Sequence, residues 1–220
     1  MPTLDRDGDV RILDLGSDEN RFSPDWLTAV GALLDEVAAT DGPAALVTRA
    51  TGKFWSNGLD LEWLGAHGDE LASYVDTIHG LFARVLTLPV PTVAAVQGHC
   101  FAGGAMLALA HDWRYMRADR GFFCLPEVDI HIPFTPGMSA LIQGKLTPAV
   151  ATDAMTTALR YGGTEAAAAG IATEAVSEDK VVARAVEHAA ALTGKAGSTL
   201  GTIKQRMYAT EVAALRAGLG

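Results

Sequence analysis

The sequence has little cysteine: its 220 residues include two, Cys100 and Cys124. Neither belongs to a CxxC pair, and His, Asp and Glu do not gather around them at zinc spacing. That excludes the zinc-ribbon and zinc-finger patterns, so no metal site is expected. Two reduced, buried thiols in a cytoplasmic protein are the expectation instead. Long apolar runs are also missing. The longest, Phe101–Ala110, is broken by two glycines and is about half of what a membrane span needs, so no membrane partner is expected. Positive charge is scarce: Lys plus Arg is 17 against 26 for Asp plus Glu, a net −9. Phosphate backbones and anionic lipid surfaces repel such a chain, which argues against nucleic acid as a partner. There is no GxxxxGK[ST] or HExxH fingerprint, no repeat of fixed period and no low-complexity linker. Met1 to Asp9 is polar and acidic, unlike a signal peptide, and Gly218-Leu219-Gly220 reads as neither a peroxisomal nor a lipidation signal.

What is present is a core. Hydrophobic residues make up 49% and charged residues 20%, enough to fold one good-sized domain and to exclude disorder of the whole. Val10 to Leu15 alternates as a strand does, and Ser23-Pro24-Asp25 then opens a helix by capping, fixed φ and dipole complementarity. Ala44 to Thr48 and Thr92 to Val96 are short continuous apolar runs, which read as buried strands. Between them the spacing predicts a helix over 69–88, stopped by Pro89 and Pro91. Strands are expected at 113–117 and 122–125, a short apolar helix at 105–110, and helices alone from Pro136 onward, with closing helices at 179–193 and 198–217. Strands alternating with helices, then helices, argue an α/β core with a helical C-terminal part. A soft boundary near 144–148 divides the chain into a core, 1–145, and a helical region, 146–220, of the same unit.

Three segments carry the polar and glycine residues that chemistry needs. Phe54-Trp55-Ser56-Asn57-Gly58-Leu59-Asp60-Leu61 follows a buried strand, where a glycine lets the backbone aim an N–H into a cleft. An ordinary strand-to-helix turn with an Asp cap accounts for the same residues. Gln97 to Met106, with Gly103-Gly104, leads from a second strand into a helix whose free N–H groups suit an anion, or serve close packing alone. Two such turns face to face would put two N–H donors on one oxygen. In Leu125-Pro126-Glu127-Val128-Asp129-Ile130, Glu127 stands among apolar neighbours, which disfavour its charged form and raise its basicity, unless it is a solvated loop residue.

Taken together, FWSNGLDL, PTVAAVQGHCFAGGAMLALAHD and FFCLPEVDI resemble the crotonase superfamily, the enoyl-CoA hydratase/isomerase family, over roughly residues 10–195. The resemblance implies a spiral of ββα units with a helical C-terminal region, assembled as a homotrimer or a dimer of trimers. It implies an acyl-CoA thioester substrate and no separate cofactor, because coenzyme A is part of the substrate. By position, Leu59 and Gly103 become the backbone donors of an oxyanion hole and Glu127 the catalytic acid/base. Trp55, Ser56, Asn57, Gly58 and Gly104 fall on the substrate-binding turns. Met106, Phe101 and Phe134 are candidate acyl-pocket walls, as are Phe123 and Met138. Hydratases of the family carry a second glutamate where this chain has Met106. An apolar residue there and a lone glutamate later resemble the Δ3,Δ2-enoyl-CoA isomerases, most of all the plant peroxisomal type. A hydratase-like enzyme and a non-catalytic acyl-CoA binder are the alternatives. Arg49, Lys53, Arg117 and Arg120 are candidates for CoA phosphates, Asp129 for a second acid, and His111 for a charge at a helix C-terminus.

Overall fold

The apolar runs become neighbouring strands in the computed structural model, which describes residues 1–219. The strands are β1 (Thr3–Asp7), β2 (Val10–Asp14), β3 (Ala45–Arg49), β4 (Phe54–Ser56), β5 (Thr92–Val96), β6 (His99–Phe101), β7 (Trp113–Arg117), β8 (Phe123–Cys124) and β9 (Glu174–Val176). The helices are α1 (Pro24–Ala38), α2 (Leu61–Ala66), α3 (Leu71–Thr87), α4 (Gly103–Ala110), α5 (Pro136–Lys145), α6 (Pro148–Thr157), α7 (Gly163–Ala168), α8 (Glu178–Ala190), α9 (Ser198–Met207) and α10 (Ala209–Arg216).

Six strands form one sheet in the order β1-β2-β3-β5-β7-β9, and three form a second in the order β4-β6-β8. Among the described strands β1 and β2 pair antiparallel and the other strand pairs are parallel. The chain therefore repeats one move: a strand in the large sheet, a strand in the small sheet, then helix. It does so through β3-β4-α2-α3, β5-β6-α4 and β7-β8-α5, which is the spiral of ββα units that the resemblance implies. Helices cover both faces of the large sheet's centre, so β5 is buried along its length and β3 up to Arg49 at its end, and both read as apolar runs. Val47 lies beside Val93, and Ala95 beside Tyr115.

Local chemistry sets the element ends. The Ser23 hydroxyl accepts from Trp26 N–H at the start of α1, and Thr135 does the same for Met138 at the start of α5. One element is new and three expectations need correction. The polar N-terminus, for which the sequence reading gives no element, forms β1, an edge strand held by β2. Parts of the two glycine-bearing loops are the short strands β4 and β6. The region beyond Pro136 is not helical throughout, because β9 joins the large sheet at β7. The last helix is two helices, α9 and α10, which break at Tyr208. The helix expected over 69–88 runs from Leu71 to Thr87. No helix among the described residues is long and apolar enough to cross a membrane.

Candidate active site

The small sheet sets three chain segments side by side: the turn after β4, the turn after β6 and the turn after β8. Each carries one of the sequence motifs.

The turn after β4 is fixed mostly by backbone. The Ser56 hydroxyl donates to Asn20 O at 2.8 Å and accepts from Gly58 N–H at 3.0 Å. Phe22 N–H donates to Gly58 O at 2.8 Å. Gly58 adopts φ +74, and a Cβ there would run into the backbone of Gly103. The turn after β6 comes equally close: a Cβ on Gly104 would meet Ser56 O, and one on Gly103 would meet Leu59 and Phe22. The two turns thus touch backbone to backbone. Leu59 N–H and Gly103 N–H have no protein acceptor among the described residues. In a trans peptide the N–H points opposite the preceding C=O. Gly58 O faces Phe22, so Leu59 N–H faces the other way. Ala102 O accepts from Met106 N–H inside α4, so Gly103 N–H points out of the helix N-terminus. Ala102 is held at φ +50, ψ −124, a costly conformation for a residue with a side chain.

The turn after β8 carries Glu127. Asp129 N–H and Ile130 N–H both donate to Pro126 O, and Ile132 N–H donates to Glu127 O, which closes a tight turn around the residue. Glu127 is only 6% exposed, and its Oε2 has no hydrogen-bond partner. Burial pushes its pKa up from 4.5 to about 7, opposed only by its own backbone N–H.

A cleft of about 570 Å³ opens over these turns. Glu127, Asn57, Leu59, Phe101, Met106, Phe134 and Met138 line it, with apolar side chains from α2, α3 and the 130–136 loop around them. So Asn57, Met106, Phe101 and Phe134 are brought to one cleft, which Met106 shares with Glu127. Ala102 and Leu59, next to Gly103, line the cleft; Gly103 itself, Trp55, Ser56, Gly58 and Gly104 do not. Trp55 is fully buried and packs edge-on against His111, because its place on β4 points it into the core. Ser56, Gly58 and Gly104 build the turns from behind. Phe123 is likewise core, in a bridge with Tyr161.

The expected cations are placed elsewhere. Arg49 pairs with Asp14 at 2.9 Å, and Arg117 with Asp119 at 2.8 Å and Glu178 at 2.5 Å. Lys53 lies over the Phe54 ring, and neither it nor Arg120 lines the cleft. The cation that does is Arg21, beside Glu19 at 2.5 Å, which sequence reasoning missed. Asp129 is exposed and outside the cleft. His111 does not carry the charge expected at the end of α4. Burial pushes its pKa down to about 4, and its two nitrogens meet Leu107 O and Thr48 Oγ1, both at 2.8 Å.

Comparison with known proteins bears on the family and the fold. The chain is 37% identical to a protein of Arabidopsis thaliana described as enoyl-CoA delta isomerase 3, over 94% of this chain and 92% of that one. It is 35% identical, over the same shares, to the Arabidopsis protein described as enoyl-CoA delta isomerase 2, peroxisomal. A crystal structure of an enoyl-CoA hydratase/isomerase family protein from Pseudomonas syringae matches with a TM-score of 0.92 at 25% identity, covering 99% of this chain and 94% of that one. The family model described as enoyl-CoA hydratase/isomerase matches residues 15–219, and the chain belongs to that family.

Proposed function

We propose that this chain is a Δ3,Δ2-enoyl-CoA isomerase that works with one glutamate and a backbone oxyanion hole. The observation that carries the reading is the lone carboxyl of Glu127: buried, unpartnered, with a pKa raised to about 7, in an apolar cleft whose other wall offers Met106. The thioester oxygen of a 3-enoyl-CoA accepts from Leu59 N–H and Gly103 N–H. The Glu127 carboxylate takes a proton from C2. Electrons move into the thioester, and the two fixed dipoles stabilise the resulting dienolate without having to reorganise. The same carboxyl, now protonated, returns the proton to C4, and the double bond ends between C2 and C3. An apolar cleft keeps water from the dienolate. Met106 has no group to activate water, which is why isomerisation is favoured over hydration.

Glu127→Gln is the direct test. Isomerisation of a 3-enoyl-CoA, followed by absorbance of the conjugated product, is expected to fall by about 10²–10⁴-fold, the usual worth of a general acid/base. Binding of the CoA ester should stay within a few-fold. Hydration of crotonyl-CoA by the parent protein is expected only in trace. Unchanged turnover in Glu127→Gln overturns the reading. The same reading includes a homotrimer or dimer of trimers, checked by light scattering. It also includes residence in the cytoplasm, supported by the unpaired, buried thiols Cys100 and Cys124.

A further inference from the structure

The phenol of Tyr74 sits behind the turn after β4 and outside the mechanism as proposed. It comes from α3 and is buried. Its hydroxyl donates to Phe22 O at 2.9 Å and accepts from Asp60 N–H at 2.8 Å. Phe22 N–H in turn donates to Gly58 O. One hydroxyl and one residue, Phe22, therefore close a ring of hydrogen bonds around Leu59. The peptide before Leu59 is fixed through Gly58 O, and the peptide after it through Asp60 N–H. Leu59 N–H is the group in this stretch left without a protein acceptor.

We infer that Tyr74 is a positioning residue for the proposed reaction: its hydroxyl holds the Leu59 N–H at the angle that the developing oxyanion needs. The inference rests on the reading of Leu59 as a donor, and it extends that reading to a residue that never touches substrate. A donor in an oxyanion site acts through its aim, because it must meet charge that exists only in the transition state. Loss of the Tyr74 hydroxyl frees both the Asp60 amide and Phe22 O, so the peptide that carries Leu59 N–H is left held through Phe22 N–H alone. The cost should fall on turnover and leave binding largely intact. The hydroxyl is itself well held: burial pushes its pKa up to about 12, so it stays a neutral donor throughout the working range.

The test uses the full-length protein, Tyr74→Phe, and para-dimethylaminocinnamoyl-CoA, a chromophore whose absorbance moves to the red when its thioester carbonyl is polarised. In the parent protein the bound probe is expected to shift red. In Tyr74→Phe the shift should shrink, kcat for 3-enoyl-CoA isomerisation should fall by roughly tenfold, a part of what loss of a whole donor costs, and KM should stay within about twofold. The acid limb of the pH profile should not move, since Glu127 is untouched. Full red shift and full kcat in Tyr74→Phe, even with a lowered melting temperature, would leave Tyr74 a merely structural residue and overturn the inference. A parent protein that isomerises the substrate yet fails to shift the probe overturns the donor reading and this inference with it. If Tyr74→Phe does not fold, para-aminophenylalanine at position 74 keeps a donor for Phe22 but accepts poorly from Asp60 N–H. A reduced shift there supports the inference, and a parental shift overturns it.

Discussion

At the residue scale, Glu127 links the chemistry to the stability of the fold. Its pKa is held at about 7 in the folded protein against 4.5 ordinarily. Between those values the folded chain keeps a proton that the unfolded chain has released. Stability therefore falls as pH rises through this window, and above pH 7 the deficit is on the order of 3 kcal/mol. Catalysis has the opposite sign, because the base must be deprotonated. kcat/KM is expected to climb through an acid limb near pH 7. Glu127→Gln should melt several degrees above the parent at pH 8 and close to it at pH 5, read by calorimetry; equal shifts at both pH values would contradict the raised pKa. This residue is legible in the sequence because Leu125, Ile130, Ile132 and Phe134 crowd around it in the chain. Tyr74 and Asn20 are not legible. Their side chains reach backbone groups 14 and 35 residues away, Asp60 N–H and Trp55 O, and no local pattern encodes such a partner.

At the element scale, α4 is the helix on which the site turns. All eight of its residues are buried, so it has no polar face, and its uniformly apolar run gives it away in the sequence. Its approach to β4 is set by glycine. A Cβ on Gly104 would collide with Ser56 O and Ser56 Cβ, whereas one on Gly31, in α1, would meet nothing within 4 Å. Gly104→Ala is expected to push α4 off β4, lowering stability by about 1–3 kcal/mol, as overpacking does, and lowering kcat by misaiming Gly103 N–H. Gly31→Ala should be neutral or stabilising by about 0.5–1 kcal/mol, from helix propensity alone. Thermal unfolding of the two variants separates the cases, and equal effects would refute the close-approach argument. Of the small sheet, β8 is expected at 122–125, while β4 and β6 are hidden from the sequence for a different reason. Strands of three residues each are too short to show alternation. Ala102 was missed because a positive φ is ordinarily expected at glycine, and two glycines stand next to it.

At the scale of the whole molecule, the ββα order was readable, and the way the C-terminal region returns to the cleft was not. The region is rich in alanine and weakly patterned, so nothing in it shows which surface it covers. In the structure α10 packs on α3 and α5, and His79 ties the three together. His79 Nδ1 faces Leu215 O at 3.0 Å, and Nε2 faces Thr135 Oγ1 at 2.9 Å. A carbonyl only accepts, so Nδ1 carries the proton and Nε2 accepts from the Thr135 hydroxyl, whose oxygen accepts from Met138 N–H. This chain needs a neutral ring. Burial lowers the pKa of His79 below 6.5, against smaller upward pulls from its hydrogen bond to Leu215 O and from Asp76. The unfolded chain thus takes up a proton that the folded one refuses. Stability from His79 is complete above pH 6.5 and is lost as pH falls through the folded pKa. His111 adds a loss of the same sign between pH 6.5 and about 4, which His79→Gln leaves in place, while Glu127 works in the opposite direction, so the effect must be read in Glu127→Gln. There, acidification from pH 7 to pH 5 is expected to lower the melting temperature and to speed amide exchange in α10 ahead of the large sheet. Adding His79→Gln should weaken both responses, since glutamine takes up no proton. An α10 whose exchange is indifferent to pH in that background, after correction for intrinsic exchange rates, would show that His79 does not govern how the C-terminal helix docks on α3 and α5.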